Sequence, residues 1–397
     1  MNNTAKILFK KAKKLESSGH NADAINAYEM ALKESPNDPE ILFALGNVAK
    51  KLNLLPIAEE MFRATYGLLP SSIEAATNLA VTINDQERTE EAIEIYKSIL
   101  VSHPEHEGTW VNIGVAVAST GDLDNAEIFY REALRLKPNS ISALTNLSEL
   151  LAQNGDFEGA LKLIDKALKR DKRNAIIRYN RGELLLTVGR LKEGWFELDY
   201  GAQNRKDRQN IYHHTLKRWN GEDLSGKKIL LSCEQGIGDQ VRYLNCVDDI
   251  IEQAEHVFIE TEPRLVNIIS RTYPKATVKA LDHKKIANQS HFYYDWPVND
   301  LDYASSMLHL YGYLKPDIES FSQKSRLLVT DQKLDQKWQT KIDKISNGLK
   351  VGICWRSAQR SLSRDMHYLD IMDWGPILTQ ENVTFFSLMY DQCDQEI

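Results

Sequence analysis

Lys228-Ile229-Leu230-Leu231-Ser232-Cys233-Glu234-Gln235-Gly236-Ile237-Gly238-Asp239-Gln240-Val241 separates two kinds of sequence in this chain. A short apolar run breaks at two glycines, and an acidic residue then opens a helically spaced segment. This pattern predicts a buried strand, a tight turn and a helix N-terminus, the arrangement by which α/β folds place chemistry at a strand's carboxyl end. Upstream the sequence repeats itself; downstream it alternates strand with helix. The expected fold class is therefore α + α/β, a helical solenoid followed by Rossmann-like α/β units.

Downstream of the turn, Val241, Leu244, Val247, Ile250 and Ile251 keep helical spacing, predicting one helix over 240–254. His256 to Thr261 reads as a second strand and Thr277 to Leu281 as a third. After a segment from Asp300 to Leu314 and a helix near Leu334 to Ile345, strand character returns at Leu349 to Trp355 and again at Val383 to Leu388. The alternation predicts parallel sheet in βαβ units, restarting near residue 349.

Upstream, Pro36, Pro70, Pro104 and Pro138 recur every 34 residues, and Ala24, Ala58, Ala92, Ala126 and Ala160 keep the same period. The alanines suit a close crossing of antiparallel helices. Tyr28, Phe62, Tyr96, Tyr130 and Ile164, four residues on, fill the groove beside it. The prolines stop the second helix of each pair, because proline lacks the backbone donor. Gly46, Gly114 and Gly182 take the small position of the first helix, and Ser18-Gly19-His20, Thr120-Gly121-Asp122 and Asn154-Gly155-Asp156 turn the chain. The period and these residue types strongly resemble the tetratricopeptide (TPR) family from about residue 5 to 200, with five clear units and a degenerate sixth. Such arrays perform no chemistry and present a concave surface to a peptide or partner domain. Asn78, Asn112, Asn146 and Asn180 also march at 34 residues. They form either a row of amides clamping an extended peptide backbone or a position where asparagine satisfies neighbouring loops.

At 397 residues and 42% apolar content, the chain has ample material for two or three domains. The net charge of −7 argues against general nucleic-acid binding, since no basic excess is available for phosphates. Runs such as Lys10-Lys11-Ala12-Lys13-Lys14 are read as solvated helix faces. Cys233, Cys246, Cys354 and Cys393 show no metal-type or disulfide-type spacing and are expected to be free, reduced thiols. No signal peptide or membrane-length apolar run is visible, so a cytoplasmic location is expected. Between the halves, Trp195 and Trp219 are expected to anchor an interface. The adjacent His213 and His214 point apart and suit no metal site.

Glu234-Gln235-Gly236-Ile237-Gly238-Asp239, followed about a hundred residues later by Gly352-Ile353-Cys354-Trp355-Arg356-Ser357, resembles bacterial TPR-linked glycosyltransferases. These are related to glycosyltransferase family 9, the heptosyltransferases, which have a GT-B fold. The resemblance implies TPR at 1–200, a connector at 201–226, an N-terminal Rossmann-like domain at 227–330, a linker helix at 331–348 and the start of a second Rossmann-like domain at 349–397. It implies inverting transfer of a sugar from a nucleotide-sugar to a glycan or protein hydroxyl, with the donor as substrate and no tightly bound cofactor. Asp239 matches the position of the proposed base, and Gln235, Gly236 and Gly238 form the acceptor loop. Read from the residues alone, Asp239 is better taken as a helix cap, and the resemblance is what favours a functional role. Arg356, Ser357, Arg364 and His367 follow a strand end where relatives bind the donor's phosphates. Asp300-Leu301-Asp302 looks like a metal-binding triplet, but the same triplet recurs at Asp122-Leu123-Asp124 in a repeat turn, and no metal is assigned to it.

The second Rossmann-like unit has only about fifty residues before Ile397, so the resemblance implies an incomplete donor half. The alternative is a non-catalytic TPR scaffold with a degenerate transferase-like domain.

Overall fold

The computed structural model describes residues 1–204, 210–233, 236–286, 289–321, 327–345, 348–357 and 368–389. They fall into two compact units, one of residues 1–266 and 275–325, the other of 267–274 and 326–397.

In the first unit, twelve helices make six antiparallel pairs: α1 (Asn3–Ser17) with α2 (Asn21–Glu34), α3 (Pro39–Lys51) with α4 (Leu55–Leu68), and α5 (Ile73–Asn84) with α6 (Thr89–Ser102). Then come α7 (Glu107–Ser119) with α8 (Leu123–Leu136), α9 (Ile141–Gln153) with α10 (Phe157–Arg170), and α11 (Ala175–Thr187) with α12 (Leu191–Asn204). The caps are local and repeat with the sequence. Asp38, Ser72, Ser140 and Asn174 each accept a first-turn N–H of a first helix, supplying an acceptor that the helix itself lacks. Asp122 does the same for α8, which explains the Asp-Leu-Asp triplet there. The period-34 alanines are fully buried, and the aromatics four residues later fill the groove the small residues leave. At Gly114 an added Cβ would lie 2.6 Å from the Tyr130 ring, so the glycine is required by the aromatic packed on it.

This unit also holds a parallel sheet of five strands. They are β2 (Lys217–Arg218), β3 (Lys228–Ser232), β4 (His256–Thr261), β5 (Thr277–Ala280) and β8 (Tyr303–Ser306), in the order β2-β8-β3-β4-β5. Leu230 and Leu231 of β3 face Phe258 and Ile259 of β4 on one side and Ala304 and Ser305 of β8 on the other. The strand is buried on both faces, as its continuous apolar run requires. A second sheet combines β1 (Asn210–Tyr212), β6 (Asp282–Ile286) and β7 (Gln289–Tyr293). Residues 201–226 therefore contribute strands to both sheets rather than only connecting the halves.

The helix expected over 240–254 is instead α13 (Ile237–Tyr243), a 3-10 turn over Leu244–Cys246 and α14 (Val247–Gln253). The change of pitch lets Tyr243, Leu244, Cys246, Val247 and Ile250 all bury, and the Cys246 thiol returns to the Tyr243 carbonyl at 3.2 Å. In chain order α15 (Val266–Thr272) lies between β4 and β5. Asp302 accepts from the Lys228 N–H at 2.9 Å and from Lys227 Nζ at 3.0 Å, clamping the start of β3. The acidic triplet at Asp300 therefore fastens the sheet.

The last repeat helix docks on α16 (Met307–Leu314). Trp195 donates from its indole to the Lys315 carbonyl at 3.1 Å, and its ring centroid lies 4.9 Å from that of Tyr311. Phe196 packs on Gly312, where a Cβ would come within 2.7 Å of its ring. Trp219 is also buried, with its ring against Tyr313. Trp195 anchors the junction as expected, whereas the contacts of Trp219 lie within the α/β half, to Glu222, His309 and Tyr313.

In the second unit, β9 (Leu349–Ile353) and β10 (Val383–Ser387) pair in parallel, and α17 (Gln332–Asp343) precedes them. Trp355 and Ile371 form a small core with Ile353 and Trp374. Cys233 and Cys246 are buried and Cys354 is exposed, and none of the three is in a disulfide among the described residues. Cys393 lies outside the described residues.

Candidate functional sites

In the five-stranded sheet the strand order reverses between β3 and β8. From β3 the chain steps outward through β4 to β5, then returns to β8 on the other side of β3. The loops at such a switch point diverge and leave a crevice beyond the carboxyl ends of the strands, where open α/β sheets bind ligands. Here the crevice exists. A cavity of about 130 Å³ is lined by Ser232 from β3, Ser305 and Ser306 from β8, and Gln203 from the last repeat helix, with Tyr212, His214 and Arg218 on its wall. Beside it a crevice of about 10 Å³ lies among Cys233, Gln240, Tyr243 and Met307, room for about one water.

The chemistry of this wall is polar but carries little free charge. Arg218 is ion-paired with the buried carboxylate of Asp199. Burial lowers the His214 pKa and favours the neutral ring. His214 Nδ1 accepts the Leu216 N–H at 3.2 Å, so the neutral ring carries its proton on Nε2 and acts as a donor there. Tyr212 stacks on His214 with ring centroids 5.6 Å apart, giving the cavity a flat aromatic side.

The expected acceptor loop begins at this strand end. Gln235 lies outside the described residues. Gly236 is the N-cap of α13 with a φ of −59°, an angle open to any residue. At neither Gly236 nor Gly238 would an added Cβ meet an atom of another described residue beyond its chain neighbours and own helix within 4 Å. Packing among the described residues therefore gives no reason for glycine at either position. Among the described residues Asp239 pairs with Arg242 one turn on at 3.1 Å, and it is partly exposed. It does not line the cavity, whereas its neighbour Gln240 lines the adjoining crevice and accepts from Thr261 and from the Glu262 N–H.

Arg356 and Ser357 follow β9, as expected of a strand-end loop. The Arg356 side chain is largely buried, and its guanidinium donates to the Ser357 carbonyl at 3.3 Å. Arg364 and His367 lie outside the described residues.

Sequence reasoning missed Ser305, Ser306, Gln203 and Tyr212. Ser305 and Ser306 belong to a short polar strand with no apolar signal, and Gln203 belongs to a helix credited wholly to the repeats.

On the repeat array, Asn112, Asn146 and Asn180 sit at equivalent points of α7, α9 and α11, half-buried and without a hydrogen bond among the described residues. Asn78 differs, since its amide donates to the Glu74 carbonyl of its own helix at 2.9 Å. Asn180 lines a groove between α9 and α11 with a volume of about 410 Å³.

These features define a helical-repeat interaction array joined to an α/β domain with a ligand-sized crevice. Tetratricopeptide repeat models match residues 9–73, 84–141 and 118–180, so the first half carries TPR repeats, a protein-interaction scaffold. Protein FlbA of Caulobacter vibrioides is 30% identical over 393 residues, covering 96% of this chain and 65% of that protein. The chain thus spans 65% of the length of this curated relative. Among solved structures, a thermophilic TPR protein of Thermus thermophilus matches at 25% identity and a TM-score of 0.40, covering 46% of this chain and 99% of that one. PilW, a type IV pilus biogenesis factor, matches at 19% identity and a TM-score of 0.43, covering 51% of this chain and 94% of that one. No helix among the described residues is long and apolar enough to cross a membrane.

Proposed function

We propose that this protein is a TPR-linked glycosyltransferase. In this reading the repeat array holds a protein partner, and the α/β half moves a sugar from a nucleotide-sugar to a hydroxyl. The observation that carries the reading is the crevice at the β3–β8 switch point, lined by Ser232 at the end of the strand that leads into the glycine turn. A neutral, hydroxyl-rich wall with a flat aromatic side suits a sugar or an acceptor hydroxyl better than a bare phosphate.

The transfer is one displacement. The acceptor oxygen bonds to the anomeric carbon as that carbon's bond to the diphosphate oxygen breaks. The electron pair leaves with the nucleoside diphosphate, and the acceptor's proton passes to a carboxylate. Asp239 is assigned that proton by the resemblance. It sits in the first turn of α13, paired with Arg242 at 3.1 Å, and is assigned its role by position. Arg356 and Ser357, with Arg364 and His367, are assigned to the leaving diphosphate.

The second reading is a non-catalytic scaffold, favoured by one observation: Asp239 is ion-paired and does not line the cavity. Calorimetric titration of the whole protein with UDP-, GDP-, dTDP- and ADP-sugars separates the two. The transferase reading expects one of these donors to bind, and Asp239→Ala to abolish transfer while leaving binding in place. Silence across the panel leaves the scaffold; transfer undiminished by Asp239→Ala removes that residue from the chemistry.

A further inference from the structure

The groove of the repeat array changes chemistry along its length. Three residues after each asparagine of the period-34 row, and so on the same helix face, the chain carries Val81, Val115, Glu149 and Glu183 in turn. The first two are apolar; the last two are carboxylates lining the groove between α9 and α11.

Glu149 and Glu183 are the charged groups among the residues lining this groove, and neither makes an ion pair or side-chain hydrogen bond among the described residues. The nearby cations of α11 are committed elsewhere: Arg181 bonds Asp165 at 2.6 Å and pairs with Glu197, and Arg178 pairs with Glu197 and covers the Tyr200 ring. Although Glu183 is open to solvent, the groove wall and then the charge of Glu149 raise its pKa, as expected of two carboxylates sharing a cleft without a counter-ion. Beneath them, Phe157, Ile164 and Leu184 provide an apolar floor. A carboxylate pair above an apolar floor matches a long cationic side chain, whose methylene stem lies on the floor while its head reaches the acids.

We propose that the groove between α9 and α11 is a docking site for an extended segment of a protein partner with a lysine or arginine placed between Glu149 and Glu183. Asn146 and Asn180 hold the segment's backbone on either side. This rests on the partner-binding half of the function proposed above and is independent of the transferase chemistry. The charge complementarity fixes the occupant's class: a segment acidic at this register would add charge to an uncompensated pair, and an apolar one would leave both acids unpaired.

The test screens the full chain against a display library of capped, randomised nonapeptides, followed by fluorescence polarisation of the enriched sequences. Enrichment of one lysine or arginine is expected, with its replacement by norleucine weakening binding about tenfold, and raised salt having the same tendency. In the isosteric double variant Glu149→Gln/Glu183→Gln, that preference disappears while the melting temperature holds. Binding with no basic preference, or a preference the double variant retains, overturns the proposal but leaves the groove as a docking surface. Absence of any bound peptide overturns both.

Discussion

Nδ1 of His309 lies 2.9 Å from the Asp199 carboxylate, and Nε2 of the same ring lies 2.9 Å from the Trp219 carbonyl oxygen. One buried imidazole thus ties the last repeat helix to the end of β2 and to α16. The array and the five-stranded sheet are joined by a polar contact set inside the aromatic packing of Trp195, Phe196 and Tyr311. Asp199→Ala is expected to leave the imidazole without its acid partner. Because Arg218 stays 44% exposed and can be rehydrated, the cost falls near the lower end for a broken buried pair, about 2 kcal/mol. Urea unfolding followed by tryptophan fluorescence reads it; a loss below about 0.5 kcal/mol would show that the aromatics alone hold the junction.

The repeat packing allows a contrast between two glycines. At Gly114 an added methyl collides with the Tyr130 ring at 2.6 Å, whereas at Gly67, inside α4, it meets nothing within 4 Å. Gly114→Ala should therefore destabilise by about 1–3 kcal/mol, the usual cost of overpacking. Gly67→Ala should stabilise by roughly 0.5 kcal/mol through helix propensity. Paired thermal melts check the signs, and equal effects would refute the packing account.

The repeat half was legible because its signal is redundant. Alanine, proline and aromatic positions each report the 34-residue period, and local caps such as Ser140 and Asn174 agree with it. The α/β half was legible at β3, β4 and β9, where apolar runs encode burial on their own. It was not legible at β8, whose Tyr-Ala-Ser-Ser is strand only because β3 lies beside it, nor at β2, where two residues complete an edge. Those tertiary choices also form the cavity, so Ser305, Ser306 and Gln203 were out of reach of periodicity. The glycine turn was visible in sequence, but its freedom from internal packing was not.

His214 provides a test of the cavity wall's protonation state. Burial lowers its pKa, so on acidification the unfolded chain takes up the proton before the folded one. Stability attributable to this ring is thus intact above its ordinary value of about 6.5 and is lost as pH falls through that value, levelling off below the folded-state pKa. In denaturant melts between pH 7.5 and 5, His214→Gln should lose less stability on acidification than the native chain. An identical pH profile for the two would mean that the ring is not held neutral.

The turn after β3 offers the sharpest separation of structure from function. Among the described residues, beyond chain neighbours and the helix's own backbone, no atom lies within 4 Å of a Cβ at Gly236 or Gly238, and Gly236 has an ordinary φ. Alanine at either site therefore costs the fold nothing through packing, and within α13 at Gly238 it should help by up to about 1 kcal/mol. If the glycines serve a ligand, the same methyl groups occupy the space where its atoms approach the backbone. Gly236→Ala and Gly238→Ala should then melt at or above the native temperature while donor or acceptor binding drops about tenfold or more, the scale expected when a close approach to a preformed site is blocked. A lowered melting temperature would return the glycines to a structural role. Unaltered binding in both variants, with the melts unchanged, would move the site away from this turn and leave the cavity between β3 and β8 to be explained by Ser232, Ser306 and Gln203 alone.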